Sequence, residues 1–180
     1  LAFICLLKGV ISILKIAYYY KSKVQVEYQK IIYNDKFKFY INSSFWNYDF
    51  NMGGDSNWNA IEYVSVDDKD NIIGFMGANI DRDVNKVGSL RLINFKNKCN
   101  VTFAKDLYRF LNELFTVHKF IKIEFTVVVG NPIEKMYDKY CLKYGGRIVG
   151  TYKDFTKLTD GNLYDTKLYE IFRTEFLKNA

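Results

Sequence analysis

The clearest hydrophobic pattern in the chain begins at Ala60. Ala60 to Val66 reads as a strand, Asp67 to Asn71 as a turn and Ile72 to Ile80 as the returning strand. A second polar turn, Asp81 to Lys86, leads into Val87 to Phe95, completing an antiparallel meander. The period then changes. Phe103, Leu107, Phe110, Leu111, Leu114 and His118 keep the spacing of one helix face, with Thr102 placed to cap its start. Ile121 to Val129 is a dense apolar run of strand length, which predicts a strand buried on both faces. The helical crossover between Val87–Phe95 and Ile121–Val129 favours parallel pairing of those two strands. Asn131-Pro132 predicts the next helix start, with Asn131 as cap, Pro132 at the first helical position and Glu134 returning a bond to the cap. That helix carries an apolar stripe of Ile133, Met136, Tyr137, Tyr140, Cys141 and Tyr144, and Gly145-Gly146 ends it. Strands over 147–156 and 164–175 close the chain across an Asp160-Gly161 turn.

Upstream of Ala60 the pattern is weaker. A first strand is expected near 13–19, followed by only slight alternation at Val24, Val26 and Tyr28. Residues 36–59 set Phe45, Trp46, Tyr48, Phe50 and Trp58 around Gly53-Gly54, the mix of a loop that packs over a cleft. Strands, helix, strand, helix and strands in that order, with no internal repeat, predict one mixed α/β domain over 1–180.

Composition narrows the chemistry. The 180 residues are 49% hydrophobic and 26% charged, an ordinary globular balance for a chain long enough to bury its own core. One histidine (His118) and three cysteines (Cys5, Cys99, Cys141), none at metal-ligand spacing, argue against a zinc site. The unpaired cysteine pattern points to a reduced, cytoplasmic setting. Net charge is +6, with 21 lysines among 26 basic residues and no run of three. AT-rich coding accounts for so much Lys, Asn, Ile, Tyr and Phe; the sharper reading is a basic face that steers an anionic ligand. Fifteen Tyr and fifteen Phe could stack on single-stranded nucleic acid, but no nucleic-acid-binding signature accompanies them. Leu1 to Leu14 is apolar except for Lys8 and Ser12, short of the ~18 uncharged residues of a membrane span and without a signal-peptide pattern. Lys8-Gly9-Val10 fits a purine-rich ribosome-binding sequence, so residues 1–13 are expected to be leader read as protein.

From Ala60 to the end, about two-thirds of the chain, the sequence resembles the GNAT-type N-acyltransferases. The best signature is Gly130-Asn131-Pro132-Ile133-Glu134-Lys135-Met136-Tyr137, followed by Tyr144-Gly145-Gly146-Arg147-Ile148-Val149-Gly150. It is similar especially to small GNAT-like proteins of Gram-positive bacteria and their phages. The resemblance implies a mixed sheet with an antiparallel N-terminal meander, flanking helices and a central parallel pair that splays apart. Acetyl-CoA would sit in that wedge, between the strands ending at Phe95 and Val129. Its acetyl group would pass directly to an amine of a small molecule or protein, with no metal and no nucleophilic residue.

The resemblance also implies site residues. Tyr137 or Tyr140 would be the acid that protonates the leaving thiolate; core packing is the alternative for either. Glu124 would be the base, against the plainer reading of an exposed strand-end carboxylate. Asn131 would contact the cofactor, although helix capping alone explains it. The family's pyrophosphate pattern, Gln/Arg-x-x-Gly-x-Gly/Ala, falls on Cys99-Asn100-Val101-Thr102-Phe103-Ala104, where only Ala104 matches. Thr102 stands where a glycine lets phosphate approach the backbone. Phe95, Lys98, Asn100, Thr102, Phe103, Ala104 and Lys105 are the expected cofactor contacts, with Lys96 adding attraction and Asp106 opposing it. Because the loop departs from the pattern, a non-catalytic GNAT-fold binding module is the competing expectation.

Overall fold

The computed structural model describes residues 13–40, 49–54, 56–96 and 100–180. The proposed leader therefore lies almost wholly outside the described residues, as do Phe45, Trp46, Tyr48, Lys98, Cys5 and Cys99. Seven strands form one sheet: β1 (Ile13–Ile16), β2 (Ala60–Val66), β3 (Ile72–Asp81), β4 (Lys86–Asn94), β5 (Lys122–Val128), β6 (Arg147–Lys157) and β7 (Leu163–Phe172). Their order is β1-β2-β3-β4-β5-β7-β6, and every neighbouring pair is antiparallel except β4 and β5. The helices are α1 (Lys21–Ile31), α2 (Val101–Thr116), α3 (Glu134–Lys143) and α4 (Arg173–Asn179), with short 3-10 helices over Ala17–Tyr20 and Asp35–Tyr40. The mixed α/β architecture expected from the sequence is the one observed.

The sheet separates two cores. On one face Met76, Ala78 and Ile80 of β3 meet Phe110, Leu111, Leu114 and Phe115 of α2, with Cys141 of α3 and Phe176 of α4. On the other, Phe75 and Ile93 meet Val24, Tyr28 and Ile31 of α1. The strand buried on both faces is thus β3, not the β5 expected from its apolar run. In β5 Ile123, Phe125 and Val127 are buried while Lys122, Glu124 and Thr126 turn away from that core. The reason is lateral: α1 covers β3, and the members of its core stop at β4.

Two helices were not visible in the pattern. Val24, Tyr28 and Ile31 keep the i, i+4, i+7 spacing of a helix face, but Tyr and β-branched residues there imitate a strand and cut the expected β1 to four residues. At the other end, Arg173–Asn179 leaves the sheet as α4 instead of prolonging β7. It does so to bury Phe176, whose ring lies 4.6 Å from Phe115 and 4.9 Å from Tyr144.

Candidate functional site

β4 and β5 are each held by an outer neighbour and part from one another. β4 pairs with β3 from Lys86 to Asn94, and β5 pairs with β7 from Lys122 to Val128. Between them a single parallel register pair exists, Val87 with Ile123, and the Ile121 N–H donates to the Asn85 carbonyl at 3.0 Å. Beyond that point the facing edges diverge toward Asn94 and Val128, as the crossover and the resemblance implied. The diverging edges carry backbone groups with no strand partner.

A narrow apolar cleft lies against this divergence, with a free volume of about 30 Å³. Leu90 and Leu92 of β4 face Ile123 and Phe125 of β5, with Leu107 and Leu111 of α2 and Met136, Tyr137 and Tyr140 of α3 completing the walls. Helical spacing puts both tyrosines on the same wall. The Tyr140 hydroxyl is buried, and among the described residues it is the one buried side-chain polar atom without a hydrogen-bond partner. Its ring lies 4.6 Å from Tyr144, and burial holds its pKa well above the ordinary phenol value, helped by Tyr144 and Tyr108. Tyr137 meets Phe125 edge-on at 5.6 Å; burial raises its pKa too, and Tyr40 adds to the shift. Both phenols keep their protons at neutral pH.

The elements around the tyrosines are fixed by polar contacts that the sequence did not announce. Lys167 of β7 reaches Glu134 at 2.5 Å and Asp138 at 3.1 Å, both on α3, and the Tyr169 hydroxyl donates to Asp138 at 2.7 Å. Glu134 accepts from the Gly130 N–H at 2.9 Å, one residue before the expected partner. Asn131 is buried; its side-chain oxygen accepts from the Ile133 N–H at 3.1 Å, and α3 starts at Glu134. Asn131 and Pro132 thus lie in the turn before α3, whose N-cap is Ile133, and not at the cap and first helical positions expected from the sequence. At the far end Gly146 is required: a Cβ there would come within 2.6 Å of Cys141 Sγ and of Ile171 Cγ1.

The start of α2 corrects part of the expected phosphate loop. Asn100, not Thr102, is the cap: it is extended (φ −128°, ψ 114°) and its side chain accepts from the Phe103 N–H at 3.0 Å. Thr102 falls inside the first turn. The Ala104 N–H is also engaged, by the Asn100 carbonyl at 3.0 Å, which leaves the N–H groups of Val101 and Thr102 without intrahelical acceptors. Ala104 is exposed and Thr102 and Lys105 are half-buried, so the turn is accessible. Phe103 is packing: its ring lies where a Cβ on Gly74 would be, 2.3 Å away. Phe95 is packing as well, buried in the α1-side core with its N–H on the Ile73 carbonyl. Asp106 is fully buried and accepts from Ser65 at 2.6 Å, turned inward instead of toward the loop.

Glu124 stands apart from the tyrosines. It alternates with the cleft-lining Ile123 and Phe125, so it projects from the opposite face, where Lys122 (2.5 Å) and Lys86 (2.8 Å) hold its carboxylate. Burial pushes its pKa up, but the two ammonium groups outweigh it and the net shift is downward. A carboxylate so neutralised is a weak proton acceptor, and Glu124, half-buried at the third of the seven positions of β5, is not the exposed strand-end carboxylate of the plainer reading either.

No protein-family model matches this chain, and no curated protein matches its sequence. Solved structures do. A spermidine/spermine N-acetyltransferase from Vibrio cholerae, solved with manganese ions, aligns over 94% of this chain and 96% of its own at TM-score 0.69 and 16% identity. The Vibrio cholerae spermidine N-acetyltransferase in complex with CoA and spermine aligns over 92% and 98%, with TM-score 0.68 and 18% identity. A chimera of the Vibrio cholerae enzyme with hSSAT covers 68% and 73%, at TM-score 0.58 and 22% identity. The fold is the GNAT fold. Nothing in these likenesses singles out the Gram-positive or phage proteins. Among the described residues of this GNAT fold no group of three or more His, Cys, Asp or Glu side chains converges as metal ligands, and no helix is long and apolar enough to cross a membrane.

Proposed function

We propose that the chain is an acetyl-CoA-dependent N-acetyltransferase, and that the β4–β5 wedge is its cofactor site. The observation that carries this reading is the Tyr140 hydroxyl. A buried hydroxyl without a partner costs stability, on the order of 1–3 kcal/mol, and such groups call for a functional account. Here the hydroxyl is buried in the wall of a narrow apolar cleft, beside two strand edges that part from one another, a gap that an extended, amide-bearing chain such as pantetheine would widen and fill. Bound acetyl-CoA would supply a thioester-activated acetyl group for transfer to an amine.

This chain's residues then divide the work. The unpaired edges of β4 and β5 offer backbone hydrogen bonds to the pantetheine amides, and Leu90, Leu92 and Phe125 keep water from its apolar stretches. Asn100 fixes the start of α2, where the N–H groups of Val101 and Thr102, beside exposed Ala104, would hold the pyrophosphate, with Lys105 adding positive charge. Tyr140, protonated at neutral pH, would be the acid: it would give its proton to the leaving sulfur and recover one from the acylated amine nitrogen, directly or through water, so that thioester and amine become thiol and amide. Tyr137 is assigned to the wall beside it. Asn131 shapes the entry to α3.

The acceptor is an amine, and the similarity to enzymes named for spermidine and spermine makes polyamines the first class to try. The direct test is calorimetric titration with CoA, then release of free thiol from acetyl-CoA in the presence of a panel of polyamines, aminoglycosides and amino-terminal peptides. Binding with amine-dependent thiol release supports the proposal. Absence of any CoA binding supports instead the non-catalytic module, a reading favoured by Thr102 at a glycine position and by the engaged Phe103 and Ala104 N–H groups.

A further inference from the structure

The two strands that frame the wedge are paired at one end only, and few polar contacts join them there. Apart from the Val87–Ile123 register pair, the Ile121-to-Asn85 hydrogen bond and the Asn85 side-chain amide donating to the Lys119 carbonyl at 3.4 Å, one side-chain ion pair links β4 to β5 among the described residues: Lys86 to Glu124 at 2.8 Å. That pair is the first step of a longer line. Glu124 also takes Lys122 at 2.5 Å, Lys122 reaches Glu170 of β7 at 3.2 Å, and Arg147 of β6 closes on Glu170 at 2.7 Å. Charges alternating plus, minus, plus, minus, plus therefore run across four neighbouring strands, at right angles to them. The line lies at the closed end of the wedge, on the face opposite the apolar cleft.

Isolated surface pairs contribute little, because water screens them and long side chains resist ordering. This line is different in its middle: the side chains of Lys86, Glu124 and Lys122 are 22%, 20% and 21% exposed and that of Glu170 is 7% exposed. Partly desolvated, mutually hydrogen-bonded charges hold geometry more firmly than exposed ones. β4 and β5 are each held along their length by an outer neighbour, so the links between them at the closed end set the spacing from which their facing edges diverge. We propose that Glu124 is a positioning residue: through Lys86 it pins the closed end of the β4–β5 wedge and sets how far the cleft opens for its ligand, a role that rests on reading the cleft as an acyl-CoA site. Glu124 then acts on the site through the sheet and touches neither cofactor nor acceptor.

The test uses the full chain with Lys86→Met, Glu124→Gln and the charge-conserving Lys86→Arg. Two quantities are read: amide hydrogen exchange at Ile121, whose N–H crosses to Asn85, and affinity for CoA itself by calorimetry. Lys86→Met and Glu124→Gln should each speed exchange at Ile121 by about tenfold while amides of the β5–β7 ladder keep their protection, since local opening leaves the rest of a sheet closed. Both should weaken CoA binding by roughly three- to tenfold, within the range by which residues distant from a ligand tune its site, and Lys86→Arg should restore both readouts. Unchanged exchange at Ile121 in both variants, or acceleration spread evenly over the sheet, overturns the pin. Faster exchange with undiminished CoA affinity overturns the positioning role. If the parent chain binds no CoA, the cofactor reading falls by itself and the positioning role with it, whereas the exchange pattern still decides whether the pin exists. Should Glu124→Gln fail to fold, Lys86→Met carries the same comparison.

Discussion

Replacing Tyr140 by Phe removes one oxygen atom from the wall of the cleft and nothing else. The ring stays, with its contact to Tyr144 at 4.6 Å, and no described group loses a hydrogen bond, because the hydroxyl has none. An orphaned buried hydroxyl carries a desolvation cost that Phe does not, so the unliganded protein should become more stable by about 1 kcal/mol. For a chain of this length that is a rise in melting temperature of about 2–4 °C. Activity should move the other way. A positioned acid contributes roughly 10²–10⁴ in rate, so kcat should fall by that order while KM for acetyl-CoA changes little. In the parent, burial holds the phenol protonated well past neutrality, so loss of activity from deprotonating Tyr140 should begin only above the ordinary phenol range of about 10. The Phe variant should lack that alkaline limb. Thermal unfolding without ligand and a thiol-release assay over pH give both numbers. A drop in melting temperature, or undiminished kcat, would refute the reasoning, since the first would mean that the hydroxyl has a partner and the second that it has no task.

Three further outcomes follow from the same structure. Ala104→Glu puts a carboxylate on the exposed first turn of α2, where it suits the helix and opposes a phosphate; it should cost CoA binding about 0.3–2 kcal/mol from charge alone with melting temperature held, and equal affinity in both proteins would remove the phosphate from that turn. Cys141 is fully buried, and burial lifts its thiol to about 11, so native protein at pH 8 should leave the Cys141 peptide unalkylated by mass spectrometry; urea without reductant should expose all three cysteines of the chain as free thiols. Asp160 is held down to about 2 by the Tyr164 hydroxyl, the Asn162 N–H and Lys38. Its unfolded value is about 3.9, so its contribution is complete above that pH and is lost as pH falls through 2. The stability gap between parent and Asp160→Asn should therefore be constant above pH 5, shrink below about 4 and close only below pH 2, and a gap that persists there would mean that the carboxylate charge is not its source.

Local chemistry made much of this fold legible. The meander from Ala60 to Asn94, α2, α3 and the last hairpin are written in periodicity and in turn residues, because each satisfies its own backbone and buries one face whatever surrounds it. The parallel pairing of β4 and β5 follows from the helical crossover between them, a rule of chain direction. α1 was hidden because its Tyr and Val residues favour strands locally, and only the face of β3 that it covers makes the helix the better solution. α4 was hidden because seven residues carry too short a pattern to read, and Phe176 turns inward for rings supplied by α2 and α3.

The site divides along the same line. Residue type marked Tyr137 and Tyr140 as candidates, but spacing along one helix face cannot say which hydroxyl lacks a partner. That depends on Tyr144, on the apolar strands opposite and on the gap between β4 and β5. Residue type also made Glu124 a candidate base and Phe95 and Phe103 candidate contacts. Sheet alternation turned Glu124 toward two lysines on the far face, and packing against Gly74 and the α1-side core claimed the two rings. The sequence by itself determined which groups the chain owns and the local period of each segment. Tertiary structure alone decided which of those groups meet, because hydrogen bonds and ion pairs act over a few ångströms, and which residues come that close is set by the register of strands far apart in the chain.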